Sequence, residues 1–385
     1  MSSHRSTELL ERRPERRTFY GLDALRGIAA TVVVSRHAPA FFGEGLFPGS
    51  SLGVDLFFVL SGFVIAHAYD GRFQRGLTAL QFIRIRLIRL MPLYLLGTLI
   101  GVIVAVATLV SGVTSAQTGM TWHAGALVKS ALLSVVLLPT PPVSANLDSL
   151  YPLNAVAWSL AFEILINVIY AVVQKRLTNS VLIIVMVVSG ALLCASALAR
   201  QNVDLGWNWP TALVGLTRVF YSFPAGLLLY RLSESSFEKQ RFSIVWSLTV
   251  ALFVFKVEFP GSAEIWFSLL AILVLFPAIT LAASRARIPD RAVKPCAFLG
   301  LTSYALYALH RPLLSVINGV LQIRHLHVAP FAPAVGGPLL ALLLATAWVV
   351  DLSYDQPVRR WLTRVVEPRR MRGAPSAVHK DTLVQ

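Results

Sequence analysis

What most limits how this chain can fold is that its apolar residues come in blocks about as long as a membrane is thick. Blocks such as 180–199 and 211–230 reach about twenty residues, the length a helix needs to cross the roughly 30 Å hydrocarbon layer of a bilayer. Inside that layer every backbone amide must find an internal partner, so spanning elements are helices or closed barrels. Long apolar runs, rather than short alternating ones, select helices. Only 14% of the residues are charged, against about a quarter in soluble domains. The expectation is an all-α integral membrane protein embedded in the lipid bilayer.

The blocks read as spans at 22–42 and 52–69, a third ending near Val110, then 154–173, 180–199, 211–230, 243–258, 263–283, 296–320 and 333–352. Block 124–138 is shorter and contains Lys129. Charge sets the orientation. Of the 34 Lys and Arg residues, 26 lie in the N-terminal tail, in 70–89, 174–176, 231–241 and 284–294, and in the C-terminal tail. Cytoplasmic loops carry this excess. The partition holds only if 124–138 does not cross, so that block reads as an outer-face or re-entrant helix. About ten crossings follow, with both termini cytoplasmic: a basic tail at 1–20, a membrane domain at 21–354 and a second basic tail at 355–385. The net charge of +15 sits between spans, which argues against a nucleic-acid partner. No short apolar core with a small-residue cleavage site opens the chain, so no secretory leader is expected. Cys194 and Cys296 lie in or beside apolar blocks and suggest neither a disulfide framework nor a metal site.

The first block carries the chemistry. LDALRGIAATVVVSRHAPAFF holds Asp23, Arg26, Arg36 and His37, and titratable groups in a span are costly and usually face a bundle interior or wet cavity. Arg26 and His37 are eleven positions apart. On a helix that places them on one face and about 16 Å apart in height. Asp23 is one turn below Arg26, close enough to pair with it.

Other spans supply partners. GVDLFFVLSGFVI places Asp55 near an outer end, where it could orient an imidazole, bind an acceptor hydroxyl, or serve only as a carboxylate at a helix start. Ser61-Gly62 reads as a site of close helix approach. In RIRLIRLMPLY, Arg86 and Arg89 share a face and read either as a clamp for the phosphates of acyl-CoA or as interfacial cations. Ser159, Glu163 and Asn167 form a stripe in the span 154–173, and Glu163 is its deep carboxylate. Ser303, Tyr307 and His310 form another, with Arg311 adjacent. Measured from the cytoplasmic ends, His37, His310 and Glu163 lie at about 22, 21 and 16 Å, within about a helix turn of one another. The stripes could therefore meet in one cavity, with cations below and titratable groups above.

These motifs resemble the acyltransferase-3 family of bacterial integral-membrane O-acyltransferases. The matches are LDALRGIAA with Arg26 and His37, GVDLFFVLSGFVI, the Arg86/Arg89 pair followed by PLY, AWSLAFE at 157–163, SYALYALHRP at 303–312 and SYDQPVRR at 353–360. The resemblance implies transfer of an acyl group, often acetyl, from acyl-CoA (acetyl-CoA in that case) to a carbohydrate hydroxyl, with catalytic roles for Arg26 and His37. After Glu163 the family often has a second acidic residue and Phe-Tyr, where this chain has Ile164, Ile166 and Asn167. Its common Glu-x-Pro is Asp355-Gln356-Pro357 here. Some relatives carry a fused esterase-like domain, which this chain stops short of; that fits a small or lipid-linked acceptor, or a separate periplasmic transferase as partner.

The working assignment is thus a transferase in the bacterial inner membrane. His37 acts as general base, since histidine's ordinary pKa of about 6.5 suits that role. Arg26 holds donor charge or an oxyanion, and Glu163 completes the catalytic set. Arg86, Arg89 and Arg26 bind the donor, and Asp55, Ser159, Tyr307 and His310 face the acceptor. The rival is a transporter or flippase for a glycan or lipid-linked sugar, whose proton relays use the same residue types. The chain shows no internal repeat of the kind many transporters carry.

Overall fold

The computed structural model describes residues 18–112, 122–142, 148–233 and 242–366. Most of the expected N-terminal tail, and of the C-terminal tail beyond Val366, lies outside them. The helices in order are α1 (Tyr20–His37), α2 (Pro39–Phe42), α3 (Gly53–Gln74), α4 (Ala79–Ser111), α5 (Ala124–Val135), α6 (Ala157–Val173), α7 (Asn179–Arg200), α8 (Ala212–Ser233) and α9 (Ile244–Lys256). Then follow α10 (Ser262–Leu270) and α11 (Phe276–Ser284), α12 (Asp290–Ile323), and α13 (Gly336–Val350) and α14 (Gln356–Val366). π-helical turns at Ala271–Leu275 and Asp351–Asp355 join α10 to α11 and α13 to α14. Among the described residues the only strands are the two-residue parallel pair Phe242–Ser243 and Ala286–Arg287.

Among the described residues, eight helices are long and apolar enough to cross a membrane: α3, α4, α6, α7, α8, α10–α11, α12 and α13–α14. α1 and α9 occupy two further expected blocks. α1 carries Asp23, Arg26 and Arg36 within 18 residues, and α9 has 13 residues. α5, with 12 residues and Lys129 inside it, is about 18 Å long. The outer faces are apolar, as a lipid-facing surface requires: Leu99 and Ile103 on α4 and Ile184 and Val187 on α7 are all about half exposed or more.

Two boundaries differ from the sequence reading. The first span ends at His37, not at 42, and restarts as α2. Pro39 explains this: the residue before a proline avoids helical geometry, and Ala38 has φ −133° and ψ 51°. At 355, where the second tail is expected to begin, the chain is helical. Helix continues to Val366, because Asp355 and Arg359 turn inward and pair at 2.9 Å.

Glycines set the helix spacing. On α3, a Cβ at Gly62 would lie 2.0 Å from the Phe223 carbonyl of α8, and one at Gly226 of α8 would lie 2.1 Å from the Val59 carbonyl of α3. α1 and α12 approach the same way: a Cβ at Gly27 would meet Leu299 at 2.4 Å, and one at Gly300 would meet Asp23 at 2.5 Å. Proline breaks in the ladders are filled from neighbours. Pro312 leaves the Ala308 carbonyl without its helical donor, and Asn154 Nδ2 donates to it at 3.1 Å. Pro277 does the same to Leu273, whose carbonyl accepts from the Tyr221 hydroxyl at 2.6 Å.

Candidate functional site

His37 sits where α1 ends, and its place follows from the register of α1 on α12. Both helices run in the same direction, and the contacts at Gly27 and Gly300 lie ten residues before His37 and His310 respectively. The two imidazoles meet with His310 Nε2 3.0 Å from His37 Nδ1. His310 is fully buried and His37 half-buried. Their protons can be assigned by elimination. His310 Nδ1 lies 2.8 Å from the Tyr307 carbonyl and 3.1 Å from that of Leu306. Carbonyls only accept, so this nitrogen carries the hydrogen. In the neutral ring His310 Nε2 is then an acceptor. His37 Nδ1 must donate, toward His310 and toward the Val33 carbonyl 2.9 Å away. His37 Nε2 is left with a free lone pair.

His37 lines a cavity of about 630 Å³, within the range of small-molecule sites. Arg36, Asp148, Trp158, Asp204, Trp207, Tyr307 and Arg311 share its wall. Two indoles and two carboxylates are the usual means of gripping a sugar, by ring faces and hydroxyls. The Arg36 guanidinium pairs with Asp204 across the wall, and Asn208 Nδ2 donates to Asp148 at 3.0 Å. The Tyr307 and Ser159 hydroxyls are 2.6 Å apart. Ser159 also donates to the Val156 carbonyl at 3.0 Å, so Tyr307 is the donor between them.

Asp55 does not face this cavity. It is fully buried and grips Arg218, equally buried, through Nε at 3.0 Å and Nη2 at 2.6 Å. Arg218 also donates to the carbonyls of Leu205 (2.7 Å) and Ser51 (3.2 Å) and stacks over Trp158. Both oxygens of Asp55 are thus taken, and its part is to fasten the cavity's roof loop and α8 to the start of α3. Breaking such a buried pair costs about 3–5 kcal/mol. The signal for it was legible: Arg218 is a lone arginine inside the span 211–230, and Asp55 a carboxylate of opposite sign inside another.

A second polar layer lies nearer the N-terminal end of α1. Glu163 Oε1 accepts from Arg86 Nη2 at 2.8 Å and from the Ser61 hydroxyl at 2.9 Å. Arg89 lies 3.5 Å from Asp355, which also pairs with Arg359, and Arg359 in turn lies 3.4 Å from Asp351. Arg26 is 4.0 Å from Asp23. The partner of His37 is therefore His310, while Glu163 holds Arg86. Arg86 and Arg89 do not converge bare on one point, since each has its own carboxylate. Buried Arg86 Nε and Arg89 Nη1 still have no hydrogen-bond partner among the described residues. Arg26 stays three helical turns, about 16 Å, from His37. Arg218, Arg311, Asn154 and the loop bearing Asp204 and Trp207 are the parts that the sequence reading assigned no role.

Comparison with known proteins agrees with the motifs. A family profile described as an acyltransferase domain matches residues 19–354. The chain is 37% identical over 188 residues to "Protein 2 in picA locus" of Rhizobium radiobacter, covering 48% of this chain and 96% of that protein. It is 27% identical over 275 residues to the exopolysaccharide production protein ExoZ of Rhizobium meliloti (strain 1021), covering 69% of this chain and 77% of that protein. No solved structure matches it.

Proposed function

The chain belongs to the acyltransferase-3 family, and from that premise we propose that it transfers an acyl group, often acetyl, from acyl-CoA to a hydroxyl of a carbohydrate in the bacterial inner membrane. The observation that carries the reading is the His37–His310 pair, with the lone pair of His37 Nε2 left over beside a cavity lined by indoles and carboxylates. An acceptor hydroxyl there gives its proton to His37 Nε2 while its oxygen attacks the thioester carbonyl. The imidazolium that forms keeps its Nδ1–H on His310, as a base's orienting partner does in hydrolytic triads. The proton then passes to the departing thiolate, which leaves as free coenzyme A.

The donor enters from the cytoplasm, and the cationic layer of Arg86 and Arg89 attracts its phosphates. Glu163 and Asp355 keep these cations extended and in place. The acceptor is an exopolysaccharide unit or its lipid-linked precursor, a reading suggested by the name of the ExoZ relative. A separate periplasmic transferase remains a partner to seek. The same reading has ten crossings with both termini in the cytoplasm. α1 and α9 complete the count, as helices whose polar or short character is tolerated because neighbours cover them.

The test is thioester loss from acetyl-CoA by the purified protein in detergent, wild type beside His37→Ala. The wild type consumes thioester, and the variant is slower by about a thousandfold, within the range of a lost general base, at an unchanged melting temperature. Equal consumption by both removes His37 from the chemistry.

A further inference from the structure

A reaction through a tetrahedral intermediate needs more than a base. Negative charge develops on the thioester oxygen and must be met by donors already in position. Arg26 is about three helical turns below His37, too far to touch an atom that His37 is deprotonating. Most other interior arginines are answered: Arg36 by Asp204, Arg86 by Glu163, Arg89 and Arg359 by Asp355, Arg218 by Asp55 and Arg231 by Asp70.

Arg311 is the exception. It follows His310 directly, is half-buried, and lines the cavity that His37 lines. No ion pair or hydrogen bond among the described residues reaches its guanidinium. A cation kept inside a membrane protein without a counter-ion is costly, and the cost makes sense where an anion arrives during turnover. The Tyr307 hydroxyl on the same wall is already committed to Ser159.

Resting on the transferase reading above, we propose that Arg311 is a catalytic residue that binds the oxyanion of the tetrahedral intermediate. As the acceptor oxygen bonds to the thioester carbon, the carbonyl π pair moves onto oxygen and is held by the Arg311 guanidinium. The acceptor's proton goes to His37 Nε2. When the pair returns, the carbon–sulfur bond breaks and the thiolate takes that proton.

The experiment measures steady-state thioester loss from acetyl-CoA by wild type, Arg311→Gln and Arg311→Lys, with water as the attacking group and with a sugar acceptor where one is found. Arg311→Gln is expected to lose about a hundredfold in kcat in both reactions, in the range for one missing oxyanion donor. Its KM for acetyl-CoA stays within about twofold, since the interaction exists only in the transition state. Arg311→Lys keeps the charge and should exceed the Gln variant by at least about tenfold, and added guanidinium ion should restore part of the loss to Arg311→Gln. Equal rates for the Lys and Gln variants overturn the assignment. So does a defect confined to the KM of an acidic acceptor with hydrolysis intact, which would make Arg311 a counter-ion for that acceptor. If the wild type itself consumes no thioester while its melting temperature is normal, the transferase reading fails, and that result is distinct from an active wild type with an indifferent Arg311.

Discussion

In the His37–His310 contact the orienting partner of the proposed base is a second imidazole rather than a carboxylate. A neutral acceptor fixes the tautomer of His37 without burying a negative charge in the bundle. Its own tautomer is fixed in turn by the carbonyls of Leu306 and Tyr307. His310 thus acts through His37, and two substitutions separate that role from simple packing. His310→Ala should lower kcat for thioester loss by about a hundredfold with KM little changed, as for a weakened general base. His310→Gln, whose amide oxygen can accept from His37 Nδ1, should recover a good part of it. Equal losses in the two variants, tracking only their melting temperatures, would reduce His310 to a core residue.

Among the elements, the crossing of α1 on α12 decides whether those rings meet at all. Gly300→Ala places a methyl 2.5 Å from Asp23, which the helices can relieve only by moving apart or sliding. Such overpacking costs about 1–3 kcal/mol, and a displacement of about 1 Å at the site can cost a hundredfold in rate. The expected outcome is a lower melting temperature together with a disproportionate fall in kcat; a wild-type rate in this variant would show that the register is set elsewhere. Here the limits of the sequence are plain. The blocks, the polar stripes and the similar heights of His37 and His310 follow from helix periodicity and rise alone. Which stripe touches which does not, because Gly27 and Gly300 look like any small residue in an apolar block until their neighbours across the gap are known. For the same reason Glu163 looked like a partner for His37, although Arg86 and Ser61 claim it. Asp55 looked like part of the site because a one-span reading cannot see Arg218, 163 positions away. The end of the first span was legible in Pro39, whose effect on Ala38 is local.

For the molecule as a whole, the polar groups form two layers: paired cations toward the N-terminal end of α1, and the imidazoles with the cavity at the other. Under the proposed function one substrate arrives from each face. That scheme rests on the orientation expected from the basic loops, and the orientation can be measured. In intact cells a membrane-impermeant thiol reagent should label Gly45→Cys, in the turn after α2, and leave Gly76→Cys, in the turn between α3 and α4, unlabelled until the membrane is opened. The reverse pattern would put the cavity on the cytoplasmic side and undo the two-sided scheme.

The separation of the two histidines along the chain bears on how the protein is made. A ribosome threading this polypeptide into the bilayer delivers His37 early, together with Arg86 and Arg89 soon after, but His310 arrives only with α12. Until then α1 has no partner for its glycine face, and the nascent protein can hold neither a tuned base nor a closed cavity. Under the proposed function, chemistry waits for α12, and a chain truncated before it is expected to be inactive.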